Sequence, residues 1–303
     1  MIGVYGANGF IGTHLVRRLA TLGKPVRAVS RRIGPELAAM QSADVDLVEA
    51  DLADQFAISA SLDEVDMVVQ AIGSSTPAIG NHHILTDITE NVIPHVEFLA
   101  SCAAKGVRRF VFLSSGGTVY GIPEMLPIPE HHPTRPITSY GVTKLTVERY
   151  AELFAATQSF EAAILRISNP YGPGQLFRKG QGLIPATLER HHRGLPVRIF
   201  GDGSAVRDYV YIDDVIDAIL AVLDAPIPTD PVLNIGSGGG HSITQVVDAL
   251  QTALGEQIAR EFIPARGTDV PANILDISKA HETIGWRPEI GLADGLTRML
   301  MLQ

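Results

Sequence analysis

The stretch Gly6-Ala7-Asn8-Gly9-Phe10-Ile11-Gly12 decides the fold. It follows an apolar run, Ile2–Tyr5, that is typical of a buried strand, and it opens an amphipathic run, Phe10–Leu22, that is typical of a helix. Glycines at this spacing let the backbone turn tightly, approach a pyrophosphate and pack the helix on the strand, while the helix N-terminus presents N–H groups to phosphates. A purely structural turn needs only one of these glycines. We therefore expect a dinucleotide-binding loop with contacts from Gly6, Asn8, Gly9, Phe10, Ile11 and Gly12.

Strand-like and helix-like runs alternate through the first half of the chain. We predict further strands at Val26–Ser30, Val45–Glu49, Met67–Ile72, Arg109–Leu113 and Glu161–Ile167. We predict helices between them at Gln55–Leu62, His83–Ala104 and Ser139–Thr157. Near-continuous apolar strands that alternate with helices predict a parallel sheet covered on both faces, and right-handed crossovers make it doubly wound. The predicted fold class is α/β, with a doubly wound parallel (Rossmann) sheet.

The texture of the sequence changes after Asn169. A Gly- and Pro-rich stretch, residues 170–182, is followed by short mixed elements and by a second Gly-rich loop, Gly236–Gly240. We predict a dinucleotide-binding domain over residues 1–169, to which part of residues 205–240 returns. A smaller, interleaved C-terminal substrate lobe is predicted over residues 170–303.

Composition limits the class of protein. With 303 residues, 46% apolar and 19% charged side chains, the chain is expected to be a soluble globular protein with a substantial core. A net charge of −9 without a Lys/Arg block argues against nucleic-acid binding, and no apolar run approaches the roughly 20 residues that span a membrane. The single cysteine, Cys102, excludes an intramolecular disulfide, and the adjacent histidine pairs lack metal-site spacing, so we expect no metal. Because a strand-like run directly follows Met1, we expect no signal peptide and a cytoplasmic location.

The residues after the second predicted strand indicate which dinucleotide binds. In NAD sites this place holds an acid for the adenosine ribose, whereas here it reads Ser30-Arg31-Arg32, with no carboxylate nearby in the chain. Two guanidinium groups and a hydroxyl suit a 2′-phosphate. We therefore expect NADP to be favoured over NAD, with contacts from Ser30, Arg31 and Arg32. Asp51-Leu52, after the third strand, offers a carboxylate to the adenine amino group.

Tyr140-Gly141-Val142-Thr143-Lys144 places a phenol and an ammonium on one face of a helix. A free tyrosine, with a pKa of about 10, is a poor base at neutral pH, and a nearby ammonium favours the phenolate. Upstream, Leu113–Gly121 places hydroxyl groups at the carboxyl edge of the fifth strand, where doubly wound sheets bind ligands. An exposed surface pair is the alternative interpretation of this spacing; the hydroxyls at the sheet edge favour an acid–base pair.

Together these segments resemble the extended short-chain dehydrogenase/reductase family, particularly its nucleotide-sugar epimerases and dehydratases of the UDP-glucose 4-epimerase type. The resemblance covers essentially the whole chain. Beyond the glycine loop and Tyr140/Lys144, it rests on Ser114–Gly121, Asn169–Gly172, Val206–Val210, Arg266–Asp269, Ile277–Ala280 and Gly285–Pro288.

The resemblance implies a nucleoside-diphosphate-sugar 4-epimerase that works by transient hydride transfer to a bound nicotinamide cofactor, with a Tyr/Lys acid–base pair. The alternative is an NADPH-dependent reductase of a nucleotide-linked 4-keto-6-deoxysugar. A non-catalytic NADP-sensing or nucleic-acid-binding relative is disfavoured by the intact Tyr140 and Lys144 and by the net acidity. The implied partner is a UDP- or dTDP-linked sugar, and we expect a homodimer that pairs through the helices at 83–104 and 139–157.

The catalytic hydroxyl is the one place where the sequence departs from the family pattern. In the family, a serine hydroxyl of this segment bridges the sugar oxygen and the tyrosine. That serine falls at Gly116 when the following Thr-Val-Tyr-Gly is aligned. Ser115 and Thr118 are the available hydroxyls, and of the two we favour Thr118.

The remaining contacts are also implied by the resemblance. Cofactor contacts are expected from Ala71, Ile72, Gly73, Asn91, Ser114, Tyr140, Lys144 and Ile167. Substrate contacts are expected from Ser75, Thr118, Asn169, Leu183, Phe200, Arg207, Arg266 and Asp269. Asn169, Arg207 and Arg266 are expected at the diphosphate, which needs charge-assisted donors.

Overall fold

The computed structural model describes residues 1–73, 81, 84–158, 160–175, 182–265 and 270–302. Its strands are β1 Ile2–Tyr5, β2 Val26–Ser30, β3 Val45–Glu49, β4 Met67–Gln70, β5 Arg109–Ser115, β6 Glu161–Ile167, β7 Asn169–Tyr171, β8 Val197–Phe200, β9 Val206–Arg207, β10 Tyr209–Tyr211, β11 Val232–Ile235, β12 His241–Ser242, β13 Arg260–Ile263 and β14 Ala272–Asn273. Its helices are α1 Phe10–Thr21, α2 Pro35–Ala38, α3 Gln55–Ser61, α4 Ile84–Asn91, α5 Ile93–Ala104, α6 Ser139–Thr157, α7 Leu183–His192, α8 Ile212–Asp224, α9 Ile243–Leu254, α10 Ser278–Ile284 and α11 Leu292–Met301.

Seven strands form one parallel sheet in the order β3-β2-β1-β4-β5-β6-β11. The chain runs outward from β1 to β3 and then returns to β4 on the other side of β1. The strand order therefore reverses between β1 and β4, and ligands of such sheets bind in the crevice beyond the carboxyl ends of these strands. The predicted doubly wound parallel sheet is confirmed.

The central strands are apolar on both faces because helices cover both. Phe110 and Phe112 of β5 pack in a cluster with residues of α3, α5 and α6. Val111 and Leu113, which alternate with them along the strand, pack in a second cluster with residues of α1 and α8. Successive side chains of a strand point to opposite faces, so a strand buried on both sides reads as a continuous apolar run.

The long helix predicted at His83–Ala104 is two helices. α4 ends at Asn91, and α5 begins at Ile93 with Pro94 in its first turn. Proline has no backbone N–H for the helical hydrogen-bond ladder and is tolerated only near a helix start, so it favours a new helix here. This division matters for the site, because the end of α4 and the start of α5 both lie beside it.

The C-terminal part adds three small sheets, β10-β7, β12-β9-β14 and β13-β8. Two of its elements extend the predicted first domain: β11 pairs with β6 in the large sheet, and α8 packs on that sheet against α1 and β5. The division of the chain at residue 169 into a cofactor domain and a substrate lobe stays a prediction. Among the residues that the structure describes, no helix combines the length and the apolar character needed to span a membrane.

Candidate active site

The glycine loop between β1 and α1 has no room for side chains. Gly6 has φ +88°, and a Cβ there would lie 2.9 Å from the Ala71 carbonyl carbon. A Cβ at Gly12 would lie 2.8 Å from the Cα of Ala7, so helix and strand pack closely here. α1 begins without a side-chain cap on its N-terminus. Its first N–H groups are therefore available to an anion, and the helix dipole favours one.

A cavity of about 960 Å³ opens beyond this loop. The cavity spans the carboxyl ends of β1, β2, β3 and β4, which is where an extended dinucleotide would lie. The predicted cofactor residues that line it are Gly6, Asn8, Gly9, Ser30, Arg31, Arg32, Asp51, Leu52, Ala71, Ile72 and Gly73. It is also lined by residues that the sequence reasoning missed because no motif marks them: Ala50, Ala53, Thr89, Glu90 and Pro94.

The loop after β2 is held by two side chains from elsewhere in the chain. The Gly34 N–H donates to Asn8 Oδ1 at 3.3 Å, and the Ile33 N–H donates to Glu49 Oε1 at 2.8 Å. Glu49 reaches this loop because β3 pairs with β2 and places Glu49 opposite Ser30. A carboxylate therefore lies beside the Ser30–Arg32 segment, contrary to the sequence-based expectation.

A second cavity, of about 230 Å³, lies at the carboxyl ends of β5 and β6. It shares Ala71 and Gly73 with the larger cavity, so the two adjoin. A Cβ at Gly73 would lie only 3.8 Å from Lys144 Nζ. The other residues that line this second cavity, the reaction cavity, are Ile11, Leu113, Ser114, Ser115, Tyr140, Lys144, Ile167, Ser168 and Pro170. The predicted acid–base pair thus lies where the dinucleotide cavity ends.

Tyr140 and Lys144 are presented by the first turns of α6. The Lys144 ammonium donates to the Leu113 carbonyl at 2.9 Å. Burial lowers the pKa of Lys144 to about 8, although the charge of Glu148 opposes this shift. Burial raises the pKa of Tyr140 to about 12; the charge of Asp87 adds to that shift, and a hydrogen bond with Ser115 opposes it. In the cofactor-free protein Tyr140 is therefore a phenol near neutral pH, and added positive charge beside it favours its action as a base.

The structure distinguishes the candidate hydroxyls. The Ser115 side chain is hydrogen bonded to Tyr140 and lines the reaction cavity. Thr118 Oγ1 is buried without a hydrogen-bond partner among the described residues, and Thr118 lines neither cavity. A Cβ at Gly116 would lie 2.9 Å from the Arg166 carbonyl oxygen, so no serine fits there. The geometry favours Ser115 over Thr118, which the sequence reasoning had favoured.

A buried ion pair joins β6 to α6 next to the reaction cavity. Arg166 Nη2 lies 2.7 Å from Glu148 Oε2, and the two side chains are 2% and 0% exposed. Ser114 donates to the same carboxylate. Removing either partner would leave an uncompensated buried charge and strongly destabilise the fold. The Ser114 hydroxyl is thus directed to Glu148, although Ser114 also lines the reaction cavity.

The other predicted contacts that the structure describes line neither of the two cavities. The Asn169 side chain donates to the Asp208 carbonyl at 2.8 Å, and Arg207 Nη1 donates to the Val206 carbonyl at 2.8 Å. Asn91 lines a small cavity with Tyr140 and Lys144. Phe10, Gly12, Leu183 and Phe200 pack in or beside the protein interior. Ser75, Arg266 and Asp269 lie outside the described residues.

Among the described residues, no three His, Cys, Asp or Glu side chains are grouped so that they could hold a metal ion.

Known proteins match the chain over nearly its whole length. The UDP-glucose 4-epimerase of Mycolicibacterium smegmatis is 32% identical over 304 residues, which are 97% of this chain and 96% of the relative. The solved UDP-glucose 4-epimerase of Thermotoga maritima, with UDP-glucose, is 33% identical with a TM-score of 0.92, covering 99% of this chain and 97% of its own. The Thermus thermophilus UDP-glucose 4-epimerase, solved with NAD, is 28% identical with a TM-score of 0.90, covering 99% and 98%.

The expectation that NADP is favoured over NAD is wrong. The Thermus structure holds NAD, as do other matching structures. Arg31 and Arg32 are exposed, and exposed guanidinium groups gain little from any one partner. The Glu49 carboxylate, which accepts from the Ile33 N–H, adds negative charge beside this segment. The charge around this segment thus depends on the neighbouring strand as well as on the residues that follow β2.

A model of the NAD-dependent epimerase/dehydratase family matches residues 2–236. That range contains the glycine loop, the hydroxyls at the end of β5 and the Tyr140/Lys144 pair. The prediction of an extended short-chain dehydrogenase/reductase of the nucleotide-sugar epimerase type, and of an enzyme, is confirmed. The chain belongs to the NAD-dependent epimerase/dehydratase family.

Proposed function

We propose that this protein interconverts UDP-glucose and its C4 epimer with the help of bound NAD. The observation that carries the proposal is the placement of Tyr140, Lys144 and Ser115 where the dinucleotide cavity meets a second cavity. The relatives named UDP-glucose 4-epimerase, at about the same chain length, support this substrate class.

The residues of the larger cavity fit a dinucleotide. A Cβ at Gly6 would collide with the backbone at the end of β4, and a Cβ at Gly12 would collide with the loop backbone, so glycine lets the loop and the start of α1 lie close to the sheet beside the cavity. The first turn of α1 would hold the pyrophosphate, and Asp51 and Ile72 would line the adenosine side. When bound, NAD supplies a reversible hydride acceptor for the sugar carbon.

The chain itself supplies the proton transfer. Tyr140 Oη would take the proton of the C4 hydroxyl as the carbon is oxidised, and would return it to the oxygen after the sugar has turned its other face. Lys144 would stabilise the phenolate by its charge, since its ammonium is fixed on the Leu113 carbonyl. Ser115 has one proton to donate: it would donate to the Tyr140 phenolate, and to the sugar oxygen once Tyr140 is protonated and itself donates to Ser115. No net oxidation results, because the proton and the hydride both return.

The direct test is incubation of the purified protein with UDP-glucose and NAD, followed by proton NMR of the sugar. We expect UDP-galactose to appear until equilibrium is reached, with no net formation of NADH. The reductase alternative would be supported instead if no epimer formed and the protein consumed NADPH with a nucleotide-linked 4-keto-6-deoxysugar.

We also propose a homodimer that pairs through α4, α5 and α6. These helices expose an apolar set that a second copy could cover: Ile84, Leu85, Ile88, Ile93, Val142 and Leu153. Exposed apolar patches on otherwise polar surfaces mark interaction sites. Sedimentation velocity checks this, and a monomer at micromolar concentration would contradict it.

A cytoplasmic location stays part of the proposal. Its support is that the only cysteine, Cys102, is buried and free, as expected where thiols stay reduced. Cell fractionation with an antibody to the protein tests the location.

A further inference from the structure

Asp87 is a buried carboxylate to which the proposed mechanism gives no role. It lies in α4 and is 3% exposed. Its Oδ1 accepts from Asn91 Nδ2 at 2.9 Å, and its Oδ2 accepts from Ser139 Oγ at 2.6 Å. A buried charge is unfavourable unless it is hydrogen bonded, and each oxygen of this carboxylate has one such bond. Within the described residues it forms no ion pair.

Both hydrogen-bond partners belong to the reaction site. Ser139 is the first residue of α6 and directly precedes Tyr140, and its N–H donates to Asn81 Oδ1 at 2.7 Å. Asn91 lines a small cavity together with Tyr140 and Lys144. Asp87 therefore joins the start of α6 to the end of α4, and the position of the Tyr140 phenol depends on that junction.

Asp87 is also the anion that acts on Tyr140. Its charge raises the pKa of the phenol. His95 of α5, beside Lys144, stays neutral because burial and the Lys144 charge lower its pKa to about 3. The other charged groups packed here are Lys144 and Glu148 of α6 and Arg166 of β6, and Glu148 is paired with Arg166.

An anion near this phenol has a use in a reversible reaction. Tyr140 must accept a proton in one half of the cycle and donate it in the other, and such a group works best with a pKa near the working pH. Lys144 and the positive nicotinamide ring of bound NAD both favour the phenolate. Without an opposing charge, the pKa of Tyr140 would fall further, and the phenolate would become too weak a base to take the C4 hydroxyl proton efficiently.

We propose that Asp87 is a positioning residue of this site, which fixes the start of α6 through Ser139 and Asn91 and offsets the positive charge around Tyr140. The consequence for turnover rests on the proposed epimerase function. The charge effect itself does not, because it acts on the tyrosine before any sugar binds.

The test measures the ultraviolet absorbance of the Tyr140 phenolate in the NAD-bound protein as pH is raised. Each variant is compared with the same variant carrying Tyr140→Phe, so that the absorbance of the other tyrosines cancels. Circular dichroism identifies the pH range in which the protein stays folded. Asp87→Asn removes the charge and keeps the shape, since an amide can accept from Asn91 and donate to the Ser139 hydroxyl. We expect roughly three- to tenfold more phenolate at a fixed pH, which corresponds to a pKa lower by about half to one unit.

Two further variants separate charge from position. Ser139→Ala keeps the charge and removes one hydrogen bond, so its phenolate should not appear at lower pH, while its epimerase kcat falls. Glu97→Gln, which neutralises an exposed acid of α5, should leave the titration unchanged. In the epimerase assay, the acid limb of the pH profile should move to lower pH in Asp87→Asn alone.

Equal phenolate in Asp87→Asn and the wild type, with both folded, overturns the proposal. If Asp87→Asn does not fold, Asp87→Ser makes the same comparison with a smaller side chain. If the wild type epimerises no UDP-sugar, the proposed function fails, while the titration still decides the role of Asp87.

Discussion

Ser115→Ala is expected to remove most of the turnover. Its hydroxyl bonds to Tyr140, and its backbone is held in the sheet by pairing with Ile167, so the substitution deletes one donor without moving the strand. The bond lowers the pKa of a phenol that burial has raised to about 12, and its loss makes the phenolate harder to form. Loss of a positioned donor at a developing charge lowers kcat roughly 10²–10³-fold, or about 3–4 kcal/mol.

Thr118→Val is the matched control. Valine has nearly the shape of threonine, and Thr118 Oγ1 is buried without a hydrogen-bond partner in the described part of the chain. Removing an unsatisfied buried hydroxyl breaks no bond and relieves a desolvation penalty. We expect kcat within about threefold of the wild type and a thermal midpoint that is equal or higher.

The assay measures the initial rate of UDP-galactose formation at saturating UDP-glucose. The amount of NAD bound to each variant is quantified by absorbance. Equal NAD content is required, because a rate loss from an empty cofactor site would say nothing about the hydroxyl. An inactive Thr118→Val beside an active Ser115→Ala would refute the assignment of the hydroxyl to Ser115. Small and equal effects would mean that neither hydroxyl holds the sugar oxygen.

Four other predictions concern the reaction site and the adjoining dinucleotide cavity. Tyr140→Phe should abolish turnover while NAD affinity, measured by isothermal titration, changes less than about threefold, because only the proton-transferring oxygen is lost. Epimerase kcat/KM should fall as pH rises through about 8, where Lys144 loses its proton, and a pH–rate profile without an alkaline limb there would contradict this assignment. Lys144→Met should at the same time raise the stability of the cofactor-free protein by about 1–3 kcal/mol at pH 7 in urea unfolding. The pKa of Lys144 is lower in the folded state than in the unfolded state, so burying its charge opposes folding below pH 8 and the penalty fades between about 8 and 10.5. Arg31→Ala should change NAD affinity by less than about fivefold, since the exposed guanidinium has no 2′-phosphate to bind, and a much larger loss in the titration would require a direct contact.

The sheet could be predicted because burial on both faces leaves a strong sequence signal. β1, β2, β3 and β6 have the predicted bounds, and β5 extends the predicted strand by two residues to Ser115. The glycine loop was equally predictable, since its residues are fixed by close backbone approaches that only glycine allows. Signals of this kind are local: each depends on residues that are neighbours in the chain.

The sequence offered two candidate hydroxyls, Ser115 and Thr118, and could not choose between them because the register of this segment depends on a contact distant in sequence. Alignment of Thr118–Gly121 places the family serine at Gly116, yet the Arg166 carbonyl of β6 blocks a side chain there. The strand pairing instead ends β5 at Ser115, opposite Ile167, and turns that hydroxyl toward Tyr140. Asp87 was missed for a similar reason, since nothing in its own segment indicates that Ser139 will lie 2.6 Å away.

The preference for NAD could not be predicted from the segment after β2 alone, for the same physical reason. The residues after β2 carry two arginines, and the chain order places no acid beside them. The parallel pairing of β2 with β3 sets Ser30 opposite Glu49, and the Glu49 carboxylate then accepts from the Ile33 N–H at 2.8 Å. Because neighbouring parallel strands end at the same sheet edge, the charge around a bound ribose is the sum over both strand ends. In a sheet of this order, the charge beside the cofactor site should therefore be counted over the ends of β2 and β3 together.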